Sequence, residues 1–275
     1  MRIFSLLFIV FLFTISTTAT IRYVSKTGSR TPPFTSWETA SDSIQKCINI
    51  FVDGDTVIVA NGRYNEALVV NVDLTLIGSS MDSCIIDGTG LWAVTHFTID
   101  VYANLKICGF TILPNRNPGV GFGVFVNINS SCYIYDCKII RGVLLSLFSD
   151  LYVKNLIITE TGGWTIDASG DLLVVENTII VNERDQVSKV GIYSDVDSAK
   201  IVNNIIIGIR PGSPITQGRG IKIEILRKAY IANNIVSGFN PNISVEYGEP
   251  NYSCVISNNL SSYLVSQIGV NHNSG

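Results

Sequence analysis

The chain has 275 residues, 47% hydrophobic and 15% charged, with a formal net charge of −3. That apolar content excludes intrinsic disorder, and the slight acidity excludes binding to nucleic acid by bulk charge. Two histidines, His96 and His272, are too few for a three-histidine metal site.

The first segment reads as an address. Met1-Arg2 precedes an apolar run from Ile3 to Phe13, interrupted only by Ser5, and small residues end in Thr17-Thr18-Ala19. A basic start, a short apolar stretch and a small-residue cleavage site are the parts of a secretory signal. The run is too short for a ~30 Å hydrocarbon core, and no later segment reads as a membrane span. Residues 1–19 are therefore expected to be removed, giving a secreted or cell-surface protein. Cleavage takes Arg2 away, leaving 18 basic residues against 22 acidic, a net charge of −4. Cys47, Cys84, Cys108, Cys132, Cys137 and Cys254 would then meet an oxidising compartment. Spacing does not choose a pairing, and most of them read as small core hydrophobes.

Residues 20–70 differ in pattern from the remainder of the chain. Ala40, Ile44, Cys47, Ile48 and Phe51 share one helical face, which predicts an amphipathic helix from about Ser36 to Phe51. It leads into Gly54-Asp55-Thr56-Val57-Ile58-Val59 and Gly62-Arg63-Tyr64.

From residue 71 a short pattern recurs, an apolar strand, an Asn or substitute, and another apolar strand. Counting on its fourth residue gives Phe110, Cys137, Asn155, Asn177, Asn204, Asn234 and Asn259, at steps of 27, 18, 22, 27, 30 and 25. A spacing regular in the mean and ragged in detail means constant strands and variable loops, which is a solenoid. About eleven residues before each anchor lies another alternating strand, such as Thr98-Ile99-Asp100-Val101 or Lys222-Ile223-Glu224-Ile225. Three strands per turn without regular hairpin turns fit a coil that stacks like strand on like strand in parallel. Asn155, Asn177, Asn204, Asn234 and Asn259 then form a structural ladder, with amides bonding along the axis at a tight bend. The N-terminal helix plugs the open end, where apolar surface and strand edges are otherwise exposed.

Tyr23-Val24-Ser25, Trp37-x-x-Ala40-x-x-x-Ile44-Gln45, Gly54-Asp55-Thr56-Val57, Gly62-x-Tyr64 and Ile86-Asp87-Gly88 resemble the N-terminal signature of secreted right-handed parallel β-helix proteins. That is the pectin-lyase-like superfamily. The resemblance covers nearly the whole mature chain. It implies an all-β, right-handed parallel β-helix solenoid of about eight coils over residues 71–275, behind a capping helix. It does not imply one activity, since the superfamily holds lyases, hydrolases, esterases, epimerases and adhesins.

In resembling enzymes the sugar polymer lies along the outward face of the strand upstream of the Asn bend. There the repeat predicts one column of Asp100, Asn127, Leu145, Asp167, Asp195, Glu224 and Glu246. It predicts a neighbouring column of Thr98, Phe125, Val143, Thr165, Tyr193, Lys222 and Ser244. Acids on consecutive rungs about 5 Å apart repel and invite a cation, Lys222 or plain hydration, and hard oxygen ligands suit calcium. Similarity to pectate lyases implies Lys222 or Arg219 as the base of a β-elimination and Asp167, Asp195 and Glu224 as calcium ligands. Asp100, Asn127, Tyr193 and Trp164 are the expected substrate contacts. Hydrolysis by paired carboxylates is the next chemistry.

The enzymes' Asn-Thr-Asp, Asp-Asp and Gly-His-Gly triplets and the Asp-rich esterase pattern are absent, and Arg210-Pro211 stands without the lyases' paired arginines. Gly119-Val120-Gly121-Phe122-Gly123 lacks the sixth-position glycine of a nucleotide loop and reads as a loop entering a strand. Trp92 joins Trp164 near turns. Asn129, Asn242, Asn251 and Asn259 stand in Asn-x-Ser sequons. Two functions remain, binding or cleavage of an extracellular acidic polysaccharide, or a non-catalytic structural or adhesive rod. Asn271-His272-Asn273-Ser274-Gly275 offers no plug, so further C-terminal coils or a cap are expected.

Overall fold

Period-two alternation puts every second residue into the interior, and Ile107, Ile134, Val153, Val175, Ile201 and Ile231 show the result. These six lie in register on successive strands, each at most 1% exposed. The computed structural model describes residues 19–91, 96–115, 121–161, 163–183, 189–209, 216–247, 253–261 and 265–269. Among the described residues 61% are in strands and 2% in helix. The named strands pair in parallel, in one 17-stranded and one 9-stranded sheet.

Each coil carries three strands. An upstream strand such as Phe97–Val101 is followed by an anchor strand, Asn104–Cys108, and a third strand, Thr111–Leu113. The third strands make up the smaller sheet. Upstream and anchor stacks merge in the larger one, because Trp164–Glu176, Lys189–Val202 and Thr216–Ala232 pass the corner between them unbroken. The stacks begin inside the segment read as a cap: Ile21–Val24 pairs with Asp55–Val59, and Gly62–Tyr64 with Cys84–Asp87.

The N-terminal helix is shorter than the pattern predicts. It spans only Ile44–Ile48, burying Ile44, Cys47 and Ile48. Ser36 and Thr39 bond each other's backbone N–H groups with their hydroxyls, at 3.2 and 3.3 Å. That local alternative competes with the first helical turns. Glu66 caps the helix by accepting from Ile44 N at 3.1 Å and Gln45 N at 2.8 Å. In the Gly54-Asp55 motif, buried Asp55 accepts from Thr20 N and Arg22 Nε and ties the first strand to the second.

The expected single Asn ladder is two adjacent columns, displaced by one residue. Asp136, Asn155, Asn177, Asn203, Asn233 and Asn258 all take left-handed backbone, with φ between 49° and 59°. This is where Asn is tolerated and where the chain turns into the third strand. Asn155 donates to Asp136 Oδ1 at 2.9 Å, and Asn177 to Asn155 Oδ1 at 3.3 Å, both exposed to solvent. Asn204, Asn234 and Asn259 stand one residue later and point inward. Counting on one pattern position merges the two columns, because Asn203-Asn204, Asn233-Asn234 and Asn258-Asn259 each supply both.

Cys47, Cys84, Cys132 and Cys137 are buried, and they and Cys108 are free thiols. Burial pushes these four up to about 12, so they behave as core hydrophobes. Among the described residues no helix is long and apolar enough to cross a membrane. Residues 1–18 of the expected signal segment, Trp92, Arg210-Pro211, His272 and the chain beyond residue 269 lie outside the described residues. Gly121–Val126 is strand, so the glycine-rich stretch is no loop from Gly121 onward.

Candidate functional site on the upstream face

Outward positions on the upstream strands follow a register two residues different from the expected one at several rungs. One column runs Asp100, Phe125, Leu145, Asp167, Tyr193, Lys222 and Ser244. The next carries Ser169, Asp195, Glu224 and Glu246. Asp167 therefore pairs with Tyr193, not with Asp195. Thr98, Val143 and Thr165 are buried. The corners explain the shift. Two residues separate Phe97–Val101 from Asn104–Cys108, four separate Gly121–Val126 from Ser131–Tyr135, and none interrupt Trp164–Glu176. A fixed offset from the anchor cannot track them. A bulge between Val196 and Ser198 adds to the irregularity.

Two groups of side chains result. Toward the N-terminal coils, Asp100 accepts from Asn127 Nδ2 at 2.7 Å and from the Tyr102 hydroxyl at 3.0 Å, and is 6% exposed. Burial raises its carboxyl, against those two hydrogen bonds. Asp100 and Asn127, expected to contact substrate, thus spend their polar atoms on each other. Phe125 and Leu145 occupy the two rungs between this network and Asp167, and Phe97 stacks on Phe125 with centroids 4.3 Å apart.

The second group joins aromatic rings to charges. Trp164, 42% exposed, lies over Tyr193 with ring centroids 4.7 Å apart and planes at 31°. Asp167 has no hydrogen bond or ion pair among the described residues, and burial alone raises its carboxyl to about 6. Lys222 Nζ bonds Glu224, stands 3.7 Å from Glu246 Oε2 and lies 5.3 Å from the Tyr193 ring centroid. Arg219 approaches Glu246 at 3.9 Å, a loose contact. Burial raises Asp195, with help from Glu224 and against Lys222. Glu224 is lowered. Its burial works upward but is outweighed by hydrogen bonds from Lys222 and Tyr193. Burial and the Glu224 carboxylate push the Tyr193 phenol up.

Asp167, Asp195 and Glu224 do not fit a calcium ion. They belong to two columns, and the Lys222 ammonium takes the place beside Glu224 and Glu246 that a cation would fill. Among the described residues no group of three or more His, Cys, Asp or Glu side chains is placed to hold a metal.

No family model and no curated protein matches the chain. Solved structures do. The pectin methylesterase of Aspergillus niger in deglycosylated form is similar at a TM-score of 0.58 and 15% identity, over 94% of this chain and 89% of that one. The same enzyme carrying an N-acetylglucosamine stub gives 0.58 and 14% over the same shares. The fold is a right-handed parallel β-helix, as in those structures. At these identities the likeness is one of fold alone.

In this β-helix the sequence pattern brings Trp164, Tyr193, Asp167, Lys222, Glu224, Arg219 and Asp195 to one stretch of one face. It misses that Tyr193, rather than an acid, follows Asp167. It offers Lys222 as a counter-charge to the acids without fixing Glu224, on the same strand, as the partner. The i, i+2 spacing of Lys222 and Glu224 is the available signal, since such residues share a strand face.

Proposed function

We propose that the protein is an exported glycan-binding β-helix that holds an acidic polysaccharide on the upstream face between Asp167 and Glu246. The observation that carries this reading is the Trp164–Tyr193 ring pair beside Lys222 and the half-buried Asp167. Sugar rings offer an apolar C–H face to aromatic rings and hydroxyl edges to polar groups, and this cluster presents both. Lys222 and Arg219 are the cations that meet a uronate carboxylate, exchanging Glu224 and Glu246 for it. That solved structures of like fold are pectin methylesterases supports the substrate class by analogy.

The chemistry that fits is proton transfer on the bound chain. Asp167, held near 6 by burial, exchanges its proton close to neutral pH, which suits a general acid or base. β-Elimination by Lys222 requires the ammonium first to give up a proton, with Glu224 as the adjacent acceptor, because an ammonium carries no free lone pair.

Incubation with polygalacturonate and with methyl-esterified pectin, followed by ultraviolet absorbance for unsaturated uronate, a reducing-end assay and, on the esterified polymer, a methanol assay, tests the reading. Retention in polygalacturonate gels that is lost in Trp164→Ala supports the binding site. Retention without products assigns the protein to the structural or adhesive class. Absence of retention on any acidic polysaccharide overturns the proposal.

A further inference from the structure

The anchor face carries a second cleft that the upstream site does not use. Thr75, Lys106, Tyr133 and Tyr152 are consecutive rungs of one outward column. Asn104 and Ser131 stand two residues earlier on their strands, with Asp73 beside Asn104. Together these residues line a cleft of about 510 Å³.

Its polar wall is fixed. Asn104 donates from its backbone N–H to Asp73 Oδ1 at 2.8 Å and from Nδ2 to Asp73 Oδ2 at 2.9 Å. Ser131 donates to Asn104 Oδ1 at 2.7 Å. Opposite lies an aromatic wall, where the Tyr133 and Tyr152 rings stand 5.9 Å apart at 60°. Tyr135 braces Tyr133 at 5.1 Å. Among the described residues the Lys106 ammonium and the Tyr133 and Tyr152 hydroxyls make no hydrogen bond or ion pair.

Half-buried ring faces opposite a pre-ordered row of donors and acceptors match a pyranose, which has an apolar C–H face and a rim of hydroxyls. Rungs about 4.8 Å apart are comparable in spacing to successive pyranose rings of a chain. The charges choose among glycans. Asp73, its neighbour Asp53, and Asp150 on the next rung after Ser131 outnumber the cations Lys106 and Lys154, so a polyanion meets net repulsion. We propose that this cleft binds a neutral oligosaccharide running along the coil axis. Tyr133 and Tyr152 would lie on its C–H faces, with Asn104, Asp73 and Lys106 on its hydroxyls. The site goes beyond the upstream reading and does not depend on it.

The test is calorimetric titration of the purified full chain with neutral xylo-, manno-, gluco- and galacto-hexasaccharides, and with oligogalacturonate as the acidic arm. At least one neutral hexasaccharide is expected to bind. Tyr152→Ala should weaken it about tenfold, consistent with loss of one aromatic contact. Tyr230→Ala, in the same column but outside the cleft, and Trp164→Ala, on the upstream face, should leave it unchanged. Unaltered thermal unfolding of Tyr152→Ala keeps the comparison valid, and Tyr133→Phe serves as a milder second variant. Failure of every neutral hexasaccharide to bind overturns the proposal. So does neutral binding that Trp164→Ala abolishes, or a preference for oligogalacturonate that Lys106→Ala removes. Loss of polygalacturonate retention in Trp164→Ala bears on the upstream reading alone.

Discussion

The side-chain amide of Asn204 donates to the Oδ1 of Asn234 at 3.0 Å, one coil further along, with both residues fully buried. The same Oδ1 accepts from the Asn204 backbone N–H at 3.0 Å, and Asn234 Nδ2 donates to Ile201 O at 2.9 Å. Asn234 repeats the arrangement with Asn259 at 2.9 Å. Each amide thus satisfies backbone groups that a sharp bend strips of ladder partners. Asn234→Ala leaves at least two buried groups unpaired, at about 1–3 kcal/mol each. It should lower unfolding free energy by about 3 kcal/mol or more in urea melts. Asn155→Gly, in the exposed left-handed column, should change it by less than about 1 kcal/mol, since glycine keeps that backbone accessible. Equal effects at the two sites would mean the two columns do the same work.

Gly109 opens the left-handed column that Asp136 and the asparagines continue, with φ 77°. Pattern alone recommends Asn there. Geometry forbids it, because a Cβ at Gly109 would stand 2.2 Å from Gly78 O, a backbone atom of the preceding coil. Gly109→Asn is expected to cost at least about 2 kcal/mol through backbone displacement. Asp136→Asn in the next coil should stay within about 0.5 kcal/mol. Chemical denaturation of both variants checks the pair.

These columns also mark how much of the fold is legible in the sequence. Inward positions are legible, because Ile107 through Ile231 repeat a buried apolar letter that nothing else in the chain supplies so regularly. The turn is legible as a place but not as a register, since tandem asparagines at 203–204, 233–234 and 258–259 mask which residue turns the chain and which faces inward. The site suffers most. Its residues stand out, but their neighbours depend on corner lengths that vary from coil to coil, so the repeat sets Asp167 against Asp195 where Tyr193 stands. The Tyr133–Tyr152 cleft comes from side-chain conformation, which alternation does not encode. The short helix shows the same limit, with hydroxyls of Ser36 and Thr39 overriding an apolar periodicity.

Asp167 sets a pH dependence. Its carboxyl sits above the unfolded value of 3.8, at about 6, because burial disfavours the charged form. The folded protein therefore binds that proton more tightly than the unfolded chain. The contribution is fully present below about pH 4, is lost as pH rises through 6, and leaves an ionised half-buried carboxylate above that. Two units amount to about 3 kcal/mol at most, and partial solvent access reduces this to about 1–2 kcal/mol. Asp167→Asn should match the parent near pH 4 and exceed its stability by about 1–2 kcal/mol at pH 7.5. A stability difference that does not change between those pH values would contradict the burial argument. If the residue also handles protons on substrate, the same variant should flatten the pH profile of any activity around 6.

Glu224 and Lys222 offer the sharpest test of the charge balance on the upstream face. The ammonium bonds Glu224 and faces Glu246, so two acids screen the cation that a uronate must reach. Removing one acid deletes a repulsion and releases the cation together. Glu224→Gln keeps the shape and the Tyr193 contact, and should strengthen retention in polygalacturonate gels several-fold at low salt. The gain should shrink as ionic strength rises, because the added attraction is screened. Lys222→Met should weaken retention under the same conditions, and the double variant should fall near Lys222→Met, since freeing a cation that is no longer present gains little. Glu224→Gln retention at or below the parent's would mean that Glu224 itself contacts the polymer, with its carboxylate accepting from sugar hydroxyls rather than guarding Lys222.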